Sequence, residues 1–290
     1  MKLGLAVLAA ATAISAIATP AHADERYFGY TYAAEAMPKG ETEIELWATD
    51  RRGKETGHYD AQDYRIEFEH GFTDRLTISG YLNLESHHIR GLEPGFEDVR
   101  RNFAIQGLSS EIKYNVLSPY KDGFGLTLYA EPAWSRILSV EGEKGTEYEL
   151  ELKAILQKNF LGDRLVWATN FVFEPELEHE KEVEEDRAVE KVWNKELKLH
   201  VTSGVAYRIA PGWFAGVEGR YSSVYPNFTH GLHRESYAVF AGPTIHYAAR
   251  KWWVTATYQP QLFGSPSPRG SRALDEFEKR EVRIIFGYEF

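Results

Sequence analysis

Between Glu174 and Glu185 the chain reads EPELEHEKEVEE. Glu174, Glu176, Glu178, Glu180, Glu182 and Glu184 recur at every second position. Successive side chains of a strand point to opposite faces, so this period puts six carboxylates on one side of an extended chain. At that spacing they repel one another unless positive charge intervenes. The chemistry on offer is therefore collective electrostatics, the attraction of cations or basic groups. Arg187, Lys191 and Lys195 on the return segment supply part of the compensation, and divalent ions are a second source. Good helix formers across Glu178 to Trp193 leave a short helix as the competing conformation.

Other candidate groups are weaker. His200 and Ser203 in HVTS sit three residues apart, which on a strand sends them to opposite faces and prevents a nucleophile–base pair. His87 and His88, next to Glu85, read as the solvated start of a long loop. His230 and His233 in THGLHRE have a spacing that a turn brings to one ion, but no carboxylate signature accompanies them. There is no phosphate-binding glycine loop, and the glycines cluster at turns. These residues give no catalytic group, metal site or cofactor, and the expectation is a protein that is not an enzyme. A formal net charge of -10 argues against nucleic acid as a partner.

The elements that must position these charges repeat along the chain. Lys2 precedes a small and apolar run, Leu3 to Ala18, and Ala21-His22-Ala23 forms an A-x-A site before Asp24. This is the pattern of a secretory signal peptide over 1–23, with a single domain expected over 24–290. With no cysteine in the chain, no disulfide scaffold is available. Segments of apolar–polar alternation then follow one another, separated by Gly, Pro, Asn and Asp clusters. The last is the clearest: Val282, Ile284, Phe286, Tyr288 and Phe290 share one face, while Glu281, Arg283 and Glu289 lie on the other. Twelve such strands are counted, and short and long connections alternate between them. That is the connectivity of an up-and-down meander with every short turn at one end. Gly80, Gly242 and Pro243 inside strands, and Pro175 where the acidic run leaves its strand, are expected to mark bulges.

Alternation alone also fits a soluble barrel or sandwich. Aromatic residues near strand ends, such as Phe72, Tyr114, Tyr207, Trp213, Tyr221, Tyr247, Trp252 and Tyr258, suit two lipid–water interfaces. The turn asymmetry suits short periplasmic turns and longer external loops. In hydrocarbon every backbone polar group needs a partner, so a β protein there must be a closed barrel. The ending IIFGYEF resembles the C-terminal signal of Gram-negative outer-membrane β-barrels, with Phe286, Tyr288 and Phe290 as its assembly residues. The whole chain resembles the small transport or porin-like barrels of that membrane. The resemblance implies an all-β transmembrane antiparallel barrel in the Gram-negative outer membrane. It also implies lipid, lipopolysaccharide and the barrel-assembly machinery as partners, with small solutes as candidate cargo.

If the apolar face meets lipid, the charged face lines the interior. The expected lining is Glu45, Arg65, Glu67, Glu69, Glu111, Lys113, Glu131, Glu149, Glu151, Lys153, Arg208, Glu218, Arg220, Arg283 and Glu289. Acids outnumber bases there, which favours a passive channel or transporter with a cation-preferring lumen. The alternative is a non-conducting barrel whose interior is closed by salt bridges and whose external loops do the work. The six glutamates from Glu174 to Glu184 are expected to continue the inward face as an external ladder at the mouth.

Overall fold

A computed structural model describes residues 26–92, 98–182, 190–267 and 270–290, with side chains outside 180–192. Twelve strands form one closed antiparallel barrel, β1 pairing with β12. In chain order they are β1 (Thr42–Arg52), β2 (His58–Thr73), β3 (Leu76–Arg90), β4 (Val99–Leu117), β5 (Gly125–Ile137) and β6 (Lys144–Phe160). The second half comprises β7 (Leu165–Glu182), β8 (Glu190–Ala210), β9 (Trp213–Pro226), β10 (Ser236–Ala248), β11 (Trp252–Ser265) and β12 (Arg280–Glu289). Closure leaves no unpaired edge, and the seam runs from Glu43↔Glu289 to Arg52↔Arg280. The short turns gather at one end with the C-terminus, and the longer loops at the other.

The period-2 pattern fixes which way each side chain points. Leu46, Ile66, Phe68, Leu108, Ile112, Leu128, Phe171, Val201, Val217 and Ile284 are exposed on the outer surface. In a water-soluble protein such a continuous apolar surface would be an aggregation hazard; around a closed barrel it is a lipid belt. Rings rim the turn end, where Trp213 lies 4.7 Å from Tyr247 and Trp252 lies 6.1 Å from Phe286. Toward the loop end, Tyr148 stacks on Trp193 at 6.2 Å and Tyr221 on Tyr237 at 5.8 Å.

Several strands outrun the sequence boundaries. β3 continues through Arg90, so His87 is a buried inward residue, 3.5 Å from Glu85, rather than part of a solvated loop. β7 and β8 stay paired as far as Glu182↔Glu190, and the short helix that the composition allows is absent from the described part of Glu178 to Trp193. Residues 183–189, and with them Glu184, lie outside the described residues. At Pro175 the β7–β8 register runs unbroken through Pro175↔Leu197, while on the β6 side the pairing lapses between Glu149↔Glu176 and Leu152↔Phe173 without a register shift, so the proline interrupts one ladder and adds no bulge. At Gly80 both neighbouring registers also continue, through Phe68↔Gly80 and Gly80↔Ser110. In β10 the register shift lies at Val239/Phe240, just before Gly242 and Pro243.

The barrel is not empty. Residues 26–37 form a strap without regular secondary structure that lies inside it, mostly in the half nearer the short turns. Arg26, Tyr27, Phe28, Tyr30, Tyr32, Ala34 and Met37 are all buried there. At Gly204 on β8 a Cβ would stand 2.5 Å from the Phe28 ring, so glycine makes room for that ring against the wall.

Candidate functional site: a strap-filled lumen beneath an acidic chamber

A strap with no strand partner must still satisfy its backbone groups once buried. Wall side chains do so. The Met37 N–H donates to Thr77 Oγ1 on β3 at 2.9 Å. The Ala34 N–H donates to Gln157 Oε1 at 2.7 Å, and the Ala34 carbonyl accepts from Asn115 Nδ2 at 2.6 Å and Thr127 Oγ1 at 3.1 Å. Asn170 clasps Tyr32 through both its amide groups, at 2.6 and 3.0 Å. The Glu218 carboxylate on β9 then accepts three consecutive backbone N–H groups, from Gly29, Tyr30 and Thr31, at 2.7, 3.0 and 3.1 Å. Thr257 adds its hydroxyl to the same carboxylate at 2.6 Å. Thr244 and Thr255 donate to the Tyr27 and Arg26 carbonyls. Read from Met37 back to Arg26, the strap circles the inner wall from β3 round to β11.

The circuit ends on charge. Arg26 Nε lies 2.8 Å from Glu45 Oε1 on β1, and its Nη2 lies 3.6 Å from Glu67 on β2. Its guanidinium stacks on Tyr32 and Trp47, 4.5 and 4.6 Å from the ring centroids. A planar, weakly hydrated cation suits such a desolvated aromatic and anionic seat. Arg283 stacks on Tyr30 at 4.0 Å and donates to the Gly29 carbonyl at 3.1 Å. Tyr30 in turn donates its hydroxyl to Glu281 at 2.6 Å.

Above the strap the interior divides into two sides. Over β1 to β5 the mouth is filled by folded-in loops. Arg51 Nη2 donates to the Ser139 carbonyl at 2.6 Å, and His87 lies 3.1 Å from the same oxygen. The segment 270–279 folds over as well, with Arg51 and Lys54 on Glu278 at 3.1 and 3.7 Å. Burial alone would raise the Glu278 carboxyl, but Lys54, Arg51 and its own backbone N–H outweigh burial and hold it down at about 2. For the neighbouring Glu276 burial wins, and its carboxyl sits above the usual range.

Over β6 to β8 lies an acidic chamber. Glu147, Glu149 and Glu151 on β6 face Glu174, Glu176 and Glu178 on β7 across the inner surface. Two triplets, Glu147/Glu176/Glu178 and Glu149/Glu151/Glu174, bring carboxylate oxygens within 4.8 Å of one another. Lys198 on β8 grips Glu176 through both oxygens, at 2.8 and 2.6 Å. Lys153 pairs with Glu151 and reaches over Tyr32 and Tyr129 toward the strap. His200 faces this chamber, 3.4 Å from Glu174, while Ser203 lies on β8's outer face against Thr169 at 2.8 Å.

The structure separates the sequence-derived residues into groups. Glu45, Glu67, Glu69, Glu111 and Lys113 face inward but are sealed from solvent at the turn end. Glu218, Arg220 and Arg283 hold the strap or its surroundings; Arg220 pairs with Glu281. Arg65 pairs with Glu131 in mid-barrel. Arg208 bonds to the Asp163 carbonyl at the turn rim, and Glu289 ends β12 beside Glu43. Glu174 and Glu176 lie within the barrel, Glu176 almost fully buried, rather than on an external ladder. Alternation of charge did not reveal that neutral polar positions, Thr77, Asn115, Thr127, Gln157, Asn170, Thr244, Thr255 and Thr257, hold a strap. The signal available for the strap was a leftover: RYFGYTYAAEAMP is aromatic and small, yet precedes the first of twelve strands that already close the barrel.

The profile of a Family of unknown function, DUF6662, matches residues 20–290. The chain belongs to that family. No curated protein matches the sequence. Among solved structures, this family member is similar to the COG4313 outer membrane channel from Pseudomonas putida F1. That match has a TM-score of 0.57 and 14% identity, covering 89% of this chain and 98% of that one. It is also similar to the β domain of the Bordetella autotransporter Brka, with a TM-score of 0.53 and 13% identity over 86% and 100% of the two chains. At such identities the likeness is one of fold. The DUF6662 chain is an all-β barrel of the outer-membrane type, and its apolar belt and aromatic rims place it in that membrane.

Proposed function

We propose that this barrel is a passive channel for small cationic solutes, held shut in the present conformation by its own N-terminal strap. The observation that carries the reading is the way the strap is held. Its backbone bonds to polar wall side chains, and it enters no strand ladder, so it is a separable insert in a wall that closes without it. Its rings also pack on apolar wall residues, Tyr27 and Phe28 on Val166, Ala168, Ala206 and Phe214 and Tyr32 on Trp47, Tyr129 and Ile155, so the strap is held by side chains alone and not by the ladder that closes the wall. The acidic chamber above the strap supplies the charge preference: glutamates of β6 and β7 surround Lys198 and Lys153. At the chamber His200 Nδ1 lies 2.8 Å from Ser222 Oγ and its Nε2 lies 3.4 Å from Glu174, so the transport reading rests on the strap and on the charge of the chamber, not on a want of nucleophile–base pairs.

Planar-bilayer recording tests the reading on the full chain and on a variant lacking residues 26–36. The full chain is expected to be mostly silent. The variant should give discrete steps whose reversal potential under a salt gradient marks a cation preference. A variant that keeps the heat-dependent gel mobility of a folded barrel, yet shows no steps, would overturn the proposal in favour of a barrel that acts through its external loops.

A further inference from the structure

At the turn end of the barrel, β1, β2 and β4 turn Glu43, Glu45, Glu67, Glu69 and Glu111 inward, and all five are fully buried. Arg26 is seated on Glu45 and Glu67, and Lys113 on Glu69 at 2.7 Å and on Glu111 at 3.4 Å. Five acids share these two cations, with Trp253 Nε1–H on Glu43 and the Tyr81 hydroxyl between Glu67 and Glu111 as neutral donors, and gathering so many buried carboxylates is costly. Oxygens of Glu45, Glu67 and Glu69 come within 4.8 Å of one another. That span is about twice a calcium–oxygen bond, roughly 2.4 Å.

Ser79 distinguishes this cluster from the two in the acidic chamber. On β3 it pairs with Glu69 on one side and Glu111 on the other, facing inward between them. Its side chain is 3% exposed, and its Oγ has no hydrogen-bond partner. Glu45 Oε2 is likewise buried without a hydrogen-bond donor, and Glu67 Oε2 meets only Arg26 Nη2, at 3.6 Å. A buried hydroxyl without a partner, in a cluster that also leaves a carboxylate oxygen without a donor, calls for a group that accepts lone pairs. The geometry points to a calcium-class divalent cation held by Glu45, Glu67, Glu69 and Ser79. An all-oxygen, water-poor seat built from three strands suits calcium, which tolerates irregular coordination, better than magnesium, which keeps its waters. The ion would tie β1, β2 and β3 together beneath Arg26 and thereby stiffen the seat of the strap. This inference stands apart from the transport reading, since it needs no open lumen.

Calorimetric titration of the full chain, folded in detergent and stripped with EDTA, provides the test. One calcium per chain is expected, with a higher temperature for loss of the compact gel form. Glu67→Gln with Glu69→Gln should weaken binding at least tenfold, while Glu147→Gln with Glu178→Gln in the chamber should leave it unchanged. Absence of stoichiometric uptake, or uptake abolished only by the chamber pair, overturns the site. Should the double variant fail to fold, Ser79→Ala keeps every carboxylate and should lower affinity several-fold; an unchanged affinity there overturns the assignment as well.

Discussion

Glu218 illustrates how a single charged residue can organise a segment that has no secondary structure of its own. One carboxylate accepts from three successive amides and a threonine hydroxyl, the arrangement that usually receives an anion at a helix N-terminus. Hydrogen bonds to a charged acceptor are each worth about 1.5–3 kcal/mol. Glu218→Ala removes all four and strands three buried N–H groups, so a loss of about 3 kcal/mol or more is expected even after water reaches a released strap. Glu218→Gln keeps one acceptor oxygen and should lose about half as much. Urea unfolding from lipid vesicles measures the loss, and protease cleavage near Tyr30 reports release of the strap. If the alanine variant resists protease as the wild type does, Glu218 is not the anchor. At this scale the sequence was legible where charge alternates: Glu67, Lys153 and Arg220 all face inward as their parity requires. Asn170 and Gln157 were not legible, because their partners are backbone groups more than 120 residues away. No local period encodes such a contact.

The strands were legible as elements for the reason that the strap was not. A wall strand separates lipid from interior at every residue, and that contrast is written into its sequence with period 2. The strap is surrounded by wall on all sides, so it has no contrast to display. Strand ends were misjudged where the contrast fades above the lipid, as at His87 on β3. The loop over 270–279 depends instead on charge, and this gives it a pH dependence with a definite sign. Glu278 has a carboxyl held at about 2, below its unfolded value near 4.5. A depressed carboxyl contributes stability that is present in full above the unfolded value and disappears as pH falls through the folded one. Docking of this loop is therefore expected to persist at pH 5 and to weaken between about 4.5 and 2. Pepsin, active across that window, should cut the segment only toward its acid end. Lys54→Ala removes a cation that lowers this carboxyl, so release should begin at higher pH; release at an unchanged pH would count against the clamp.

Across the whole molecule, positive and negative groups are sorted by place rather than mixed. The strap half uses arginines stacked on rings, as Arg26 on Trp47 and Arg283 on Tyr30, to balance acids that are out of water. The β6–β8 side of the loop half gathers acids in a partly solvated chamber, where water and mobile ions reach them. Fields in that chamber act over a Debye length, about 8 Å at physiological salt and about 3 Å at 1 M. A channel whose preference arises there should discriminate by charge in dilute salt and lose much of that discrimination in concentrated salt. In the variant lacking residues 26–36, cation preference is thus expected to fall steeply between 0.1 and 1 M salt. Replacing Glu147, Glu149, Glu174 and Glu178 by Gln in that variant should abolish most of the preference at low salt while leaving step size within about twofold. The same exchange at Glu45, Glu67 and Glu69, which lose Arg26 in that variant, should matter less for selectivity, because they lie at the turn end, outside the chamber, with Lys113 beside Glu69. Reversal potentials for the two sets compare them directly. Equal effects from both would mean that selectivity follows total charge rather than the chamber, and the division of the interior would then have no bearing on transport.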